Sequence, residues 1–279
     1  MHNLNEPNIE DINVFDTCVS VKARRVREKF QAARSTVDEA YKKYVELGKS
    51  SSLFQMETIL PIENVDLTED DFRLLYHAQF LNKRGPARAV YDSLKLSARR
   101  CPFCSHNIPG TLDHFLPKEA FAEFSIFSRN LVPCCRDCNG EKHSKVISED
   151  EQFFHPYFDD ISGGTWLICN IDYPDGNPSY FYSVDANVTG ISKNVLKKLE
   201  YQFEKLGLNA IYGTQAVDEV EGQILYLRSL RQDAGQEEVL AFLTEQARSK
   251  EWYNANSWQA ALYRGLVSDP HFSNMAWGS

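Results

Sequence analysis

Two Cys-x-x-Cys pairs, Cys101/Cys104 and Cys135/Cys138, with thirty residues between them, constrain this chain more than any other feature. Each pair has the knuckle spacing that brings two thiolates to one tetrahedral ion, so together they predict a structural Zn²⁺ that closes the intervening loop. Of seven cysteines, five crowd between Cys101 and Cys138, while Cys18 and Cys169 stand alone. An odd, clustered set argues against a disulfide framework and for a reducing compartment. Cys134 offers a rival register with Cys138, but Cys135 has the better spacing, which leaves Cys134 as a packed thiol. His106 is a minor alternative zinc contact.

The chain is expected to be cytoplasmic and not membrane-bound. No run approaches the roughly 18 apolar residues that span a bilayer, and the opening MHNLNEPNIEDI lacks the basic-then-apolar order of a signal peptide. With 43% hydrophobic and 25% charged residues in 279, the sequence can bury a core. From Val26 to Leu47, apolar residues recur at steps of three and four, which predicts one long amphipathic helix ending at Gly48 and Ser50–Ser52. Thr68-Glu-Asp-Asp carries the signature of a helix N-terminus. The stretches 165–173 and 179–184 have the pattern of strands joined by a Pro- and Gly-containing turn. Later faces, Val195/Leu199/Phe203/Leu206, Val220/Ile224/Leu227/Leu230 and Val239/Leu243/Ala247, predict helices again. The expected architecture is α+β, with a helical segment over 1–95, a zinc-stapled core over 96–150, and a small sheet plus helices over 151–279.

A net charge of −9 excludes binding of nucleic acid by bulk positive charge, yet leaves room for a local basic strip. Lys83, Arg84, Arg88, Arg99 and Arg100 form a candidate phosphate-contacting strip, with a solvated helix face as the plain alternative. Residues 149–279 carry 9 basic against 19 acidic residues, so that half is expected to face a protein and not a polyanion.

Between the cysteine pairs lie residues suited to phosphodiester hydrolysis. His114 can deprotonate water with a neutral imidazole. Asp113 and Asn139 supply the oxygen donors that suit Mg²⁺ or Mn²⁺, and His143, four residues beyond Asn139, can share its helix face and widen the choice of ion. Asn130 precedes the second cysteine pair. On a strand, the neighbours Asp113 and His114 point to opposite sides, so serving one site requires a twist or a bulge there. Each of these residues alone is more often a cap or turn residue.

The stretch Cys101 to His143, CPFCSHNIPGTLDHFLPKEAFAEFSIFSRNLVPCCRDCNGEKH, resembles the zinc-containing subclass of HNH (ββα-metal) nucleases. The resemblance implies a hairpin and a helix enclosing one catalytic divalent ion, His114 as general base, Asp113 and Asn139 as ligands, and Asn130 as the asparagine that orients the base. His143 falls where many members carry the motif's final histidine; whether Asn139, His143 or both hold the ion stays open. The products would carry a 5′-phosphate and a 3′-hydroxyl. The flanking phrases GPARAVY (85–91) and FHPYFD (154–159) are similar to segments in the HNH subunit of Septu-type anti-phage systems, which works beside an ATPase. Partners implied are therefore DNA foremost, with RNA or tRNA as the alternative, and an ATPase subunit or a second copy of the chain. A zinc-ribbon interaction module without catalysis is the rival from a different class.

Overall fold

The computed structural model describes residues 1–142 and 147–275, and it forms two compact units, His2–Ile161 and Ser162–Ser279, the latter taking in Met1. The fold is mixed α and β, mostly helical, with two small antiparallel sheets. None of the described helices is long and apolar enough to cross a membrane.

The first unit is organised on its longest helix. In chain order it contains α1 (Asp11–Ser20), α2 (Arg24–Lys49), α3 (Glu69–Leu75), a π-helical turn (Tyr76–Leu81), α4 (Arg88–Leu96), β1 (Thr111–His114), β2 (Leu131–Cys134) and α5 (Arg136–Lys142). Helix α2 buries Phe30, Ala33, Val37, Ala40, Tyr41 and Tyr44 along one stripe, as its periodicity requires. Phe30 packs edge-on to Phe15 and Phe72, while Tyr41 and Tyr44 meet Phe124 and Phe127 from the long β1–β2 connection. That connection is thus held against α2 by aromatic burial. Helix α3 begins where Thr68 promises it: Thr68 Oγ1 accepts from Asp71 N, and Asp71 Oδ2 accepts from Thr68 N at 3.0 Å, a reciprocal capping box.

Helix α3 widens into the π-helical turn before the chain doubles back through 82–87. Gly85 makes that return possible, because a Cβ there would lie 2.2 Å from the Gln79 carbonyl oxygen. The Gln79 carbonyl accepts from Ala87 N at 3.2 Å and fixes the turn against the start of α4.

The second unit pairs β3 (Leu167–Asp172) with β4 (Ser179–Val184), Leu167 opposite Val184 and Asp172 opposite Ser179. Helices α6 (Lys193–Lys205), α7 (Leu208–Glu221), α8 (Ile224–Ala234), α9 (Gln236–Asn254), α10 (Trp258–Ser268) and α11 (Pro270–Ser273) follow. The expected single face Val220/Ile224/Leu227/Leu230 is divided: Val220 lies in the last turn of α7 and Ile224 opens α8, because the chain breaks at Gly222 and Gln223. Val239, Leu243 and Ala247 form the buried stripe of α9.

Candidate functional site

The four paired cysteines meet. Cys101, Cys104, Cys135 and Cys138 are all buried, and their sulfurs lie within 4.8 Å of one another. That spacing fits one tetrahedral ion with Zn–S bonds of about 2.3 Å, so these thiolates would hold zinc. Hydrogen bonds among the four sulfurs pull Cys101 and Cys135 below the ordinary thiol range and push Cys104 and Cys138 above it, so the four thiols share their protons as one coupled group. The knuckle turns are fixed locally: Ser105 N donates to Cys101 O at 2.7 Å with Ser105 at φ 51°, and Asn107 bridges the pairs by donating to Asp137 Oδ2 at 2.7 Å. Cys134 is buried beside the group and outside it, its thiol turned to the Cys135 carbonyl at 3.2 Å. His106 is not in the group either; its carbonyl accepts from Arg100 at 2.9 Å.

Beyond the cysteines, β1 and β2 form a ribbon in regular register, with Asp113 opposite Val132 and His114 opposite Leu131. No bulge separates Asp113 from His114, contrary to what one shared site would demand of a wide sheet. Two-stranded ribbons twist more strongly than wide sheets, so neighbours of opposite orientation can line one cavity. They do so here: Asp113, His114 and Asn139 line a cavity of about 470 Å³, together with Tyr76, His77, Tyr91, Lys118 and Glu119.

His114 Nε2 lies 3.0 Å from the Ser125 carbonyl. A carbonyl only accepts, so Nε2 carries the proton and Nδ1 keeps its lone pair. Burial pushes this imidazole down to about 3, which keeps it neutral near pH 7 and at the same time weakens it as a proton acceptor. Its ring meets the Tyr76 ring edge-on at 4.7 Å.

Asp113 is buried, and desolvation raises its carboxyl above the ordinary range against the opposing pull of Lys142. The Lys142 ammonium stands 3.1 Å from Asp113 Oδ2 but donates to the His114 and Phe115 carbonyls at 3.1 and 3.0 Å. Asp113 Oδ2 is left buried without a hydrogen bond. That carboxylate, in a cavity that Asn139 also lines, offers oxygen donors of the kind a hard divalent cation takes, in place of the Lys142 ammonium that stands beside it. His143 lies outside the described residues.

Asn130 is fully buried and touches the loop, not the His114 ring. Its Oδ1 accepts from Leu116 N at 2.7 Å and Tyr44 OH at 3.0 Å, and its Nδ2 donates to Leu116 O and Phe124 O at 3.1 and 3.3 Å. The support extends further. His155 Nδ1 accepts from Tyr157 N at 3.3 Å, so its Nε2 donates to the Tyr44 oxygen at 3.2 Å. Tyr157 OH in turn donates to the Leu131 carbonyl at 2.9 Å. His155 is therefore a buried network residue.

Within the basic strip, Arg88 is engaged: its guanidinium pairs with Asp92 at 2.8 Å and lies over the Tyr91 ring at 4.6 Å. Lys83, Arg84, Arg99 and Arg100 are exposed. A second basic stretch, Lys22, Arg24, Arg25, Arg27, Lys29 and Arg34, runs around the start of α2, where Arg24, Lys29 and Arg34 are paired with Glu28, Asp66 and Asp16. His77, Lys118 and Lys142 also enter the site without any motif to announce them.

The fold and site define a mixed α and β protein with a buried four-cysteine cluster fit for zinc. The chain is 36% identical over 177 residues to protein ea31 of Escherichia phage lambda, covering 58% of this chain and 59% of that protein. It is 31% identical over 71 residues to the Septu protein PtuB of Bacillus thuringiensis, covering 24% of this chain and 27% of PtuB. The matched segments thus span less than two thirds of either relative. No family model and no solved structure matches the chain.

Proposed function

We propose that this protein is a metal-dependent endonuclease of the HNH type, hydrolysing phosphodiester bonds of DNA, and that it serves in anti-phage defence. The observation that carries the reading is the cavity in which Asp113, His114 and Asn139 converge beside a four-cysteine cluster. The β1–β2 ribbon followed by α5 is the arrangement expected of a ββα-metal core. The similarity to the Septu protein PtuB supports the defence role.

In this reading, His114 Nδ1 accepts the proton of the attacking water, and the Ser125 carbonyl holds the ring in the tautomer that leaves Nδ1 free. Asp113 and Asn139 would hold Mg²⁺ or Mn²⁺, with His143 an additional candidate, and such an ion supplies charge stabilisation to the phosphate and the leaving oxygen. Zinc in the cysteine cluster is structural. Asn130 acts through the loop it staples, since Phe124 precedes the Ser125 carbonyl that receives His114. The exposed residues Lys83, Arg84, Arg99 and Arg100 are available to phosphates. The acidic second unit suits a protein partner, an ATPase subunit or a second copy.

A zinc-stapled module without catalysis is the second reading, favoured by one observation: Lys142 already places a cation beside Asp113. Purified protein incubated with Mg²⁺ or Mn²⁺ and plasmid, single-stranded DNA or total RNA separates the readings. Cleavage of plasmid that EDTA abolishes supports the nuclease. Cleavage of RNA alone moves the substrate, and intact polymers throughout leave the module.

A further inference from the structure

The cavity contains a second imidazole that the hydrolytic reading does not yet use. His77 lines it from the π-helical turn Tyr76–Leu81, opposite in sequence origin to everything between the cysteine pairs. Its side chain is exposed, and its ring lies edge-on to the Tyr76 ring at 5.3 Å. His114 meets the same Tyr76 ring at 4.7 Å, so the two imidazoles lie no farther apart than the sum of those two contacts. Single π turns recur at functional sites because the widened backbone re-aims side chains that an α-helix would carry elsewhere. Gly85 supports this one, since any larger residue there would collide with the Gln79 carbonyl.

We propose that His77 is the proton donor to the leaving oxygen, the acid partner of His114. This rests on the hydrolase reading above. In the step, the water oxygen bonds to phosphorus while its proton passes to His114 Nδ1. The P–O3′ bond breaks, and the departing oxygen takes a proton from the His77 imidazolium, giving a 5′-phosphate and a 3′-hydroxyl. An in-line displacement places attacking and leaving oxygens on opposite sides of phosphorus, and each catalyst needs a hydrogen-bond reach of about 2.6–3.2 Å to its own oxygen. Two imidazoles that each contact one tyrosine ring and line one cavity supply that site with two proton-transfer groups.

Other donors in the cavity suit the task less well. Burial pushes the Tyr76 phenol well up from its ordinary range. The Lys118 ammonium is engaged over the Tyr76 ring at 5.5 Å. His114 is committed as the base through its bond to the Ser125 carbonyl. An imidazole is the side chain best matched to proton donation near pH 7.

The test uses the full chain with Mn²⁺, which tolerates sulfur as well as oxygen, and a short duplex DNA carrying, at the mapped scission point, either the natural 3′-oxygen or a bridging 3′-sulfur. A thiolate leaves without protonation. His77→Ala and His77→Gln are expected to cleave the oxygen ester about 10²-fold or more slowly than wild type, a typical cost of losing a general acid, and to cleave the sulfur ester at nearly the wild-type rate. His114→Ala is expected to fail on both, since the base is needed in either case. Because His77 is exposed, its variants should keep the wild-type melting temperature. Equal loss on both esters, or no loss on the oxygen ester, overturns the acid role while leaving the hydrolase intact. Wild type that cleaves neither ester overturns the hydrolase reading, and this inference with it.

Discussion

Replacing Asn130 with alanine should cost the connection between β1 and β2 much of its stability. Asn130 is 0% exposed and makes four side-chain hydrogen bonds, two to Leu116 and one each to Tyr44 and Phe124. Each intramolecular hydrogen bond contributes about 1 kcal/mol net, and a buried donor stripped of its partner costs about 1–3 kcal/mol. Leu116 N and the Tyr44 hydroxyl proton both lose their acceptor, Tyr44 keeping only the bond it accepts from His155. The expected loss is therefore about 3–5 kcal/mol, or roughly 10 °C in melting temperature for a unit of this size. Asn130→Asp should be no better, because it keeps both acceptors but turns a carboxylate oxygen toward the Leu116 and Phe124 carbonyls. Urea unfolding followed by fluorescence and circular dichroism measures the difference. A loss under about 1 kcal/mol would refute the claim that Asn130 acts by stapling the loop.

Cys101→Ser and Cys138→Ser are expected to lower zinc content and stability together, as is stripping the wild type with a chelator, because thiolate coordination contributes folding free energy directly; folded wild type without zinc would contradict this. Lys142→Met strands a buried carboxylate and is expected to cost about 3–5 kcal/mol, part of which Asp113→Asn in the same chain restores. A neutral Lys142→Met in a thermal melt would show that the pair is not coupled. Cys18 and Cys169 are each pushed up to about 12 by burial. Both should resist iodoacetamide at pH 8 in the native protein and react only after denaturation, which mass spectrometry reads directly.

Local features of the sequence carried much of the fold. The stripe from Phe30 to Tyr44 declares α2 because helical period and burial coincide there. Thr68 and Asp71 declare the start of α3 through side-chain chemistry confined to four residues. The four cysteines declare their cluster because knuckle spacing fixes two ligands at a time. What the sequence does not carry is nonlocal. Tyr44 reaches Asn130 across 86 residues and His155 across 111, and no periodicity links segments so far apart. His77 and Lys142 join the site from elements whose packing decides where they point. The break between Val220 and Ile224 was hidden because an apolar period continues across Gly222 as if the helix did.

The most direct measurement is a plasmid-nicking assay with Mg²⁺ on wild type and His114→Ala, run alongside zinc analysis and melting curves of the same preparations. His114 faces the cavity and lies outside the cysteine cluster, so its removal deletes a proton acceptor and leaves zinc coordination intact. The expected result is nicking by wild type, none by His114→Ala, and equal zinc content and folding in both. A His114→Ala protein that nicks as wild type does, or that loses zinc or unfolds, would contradict the assignment of His114 as the base.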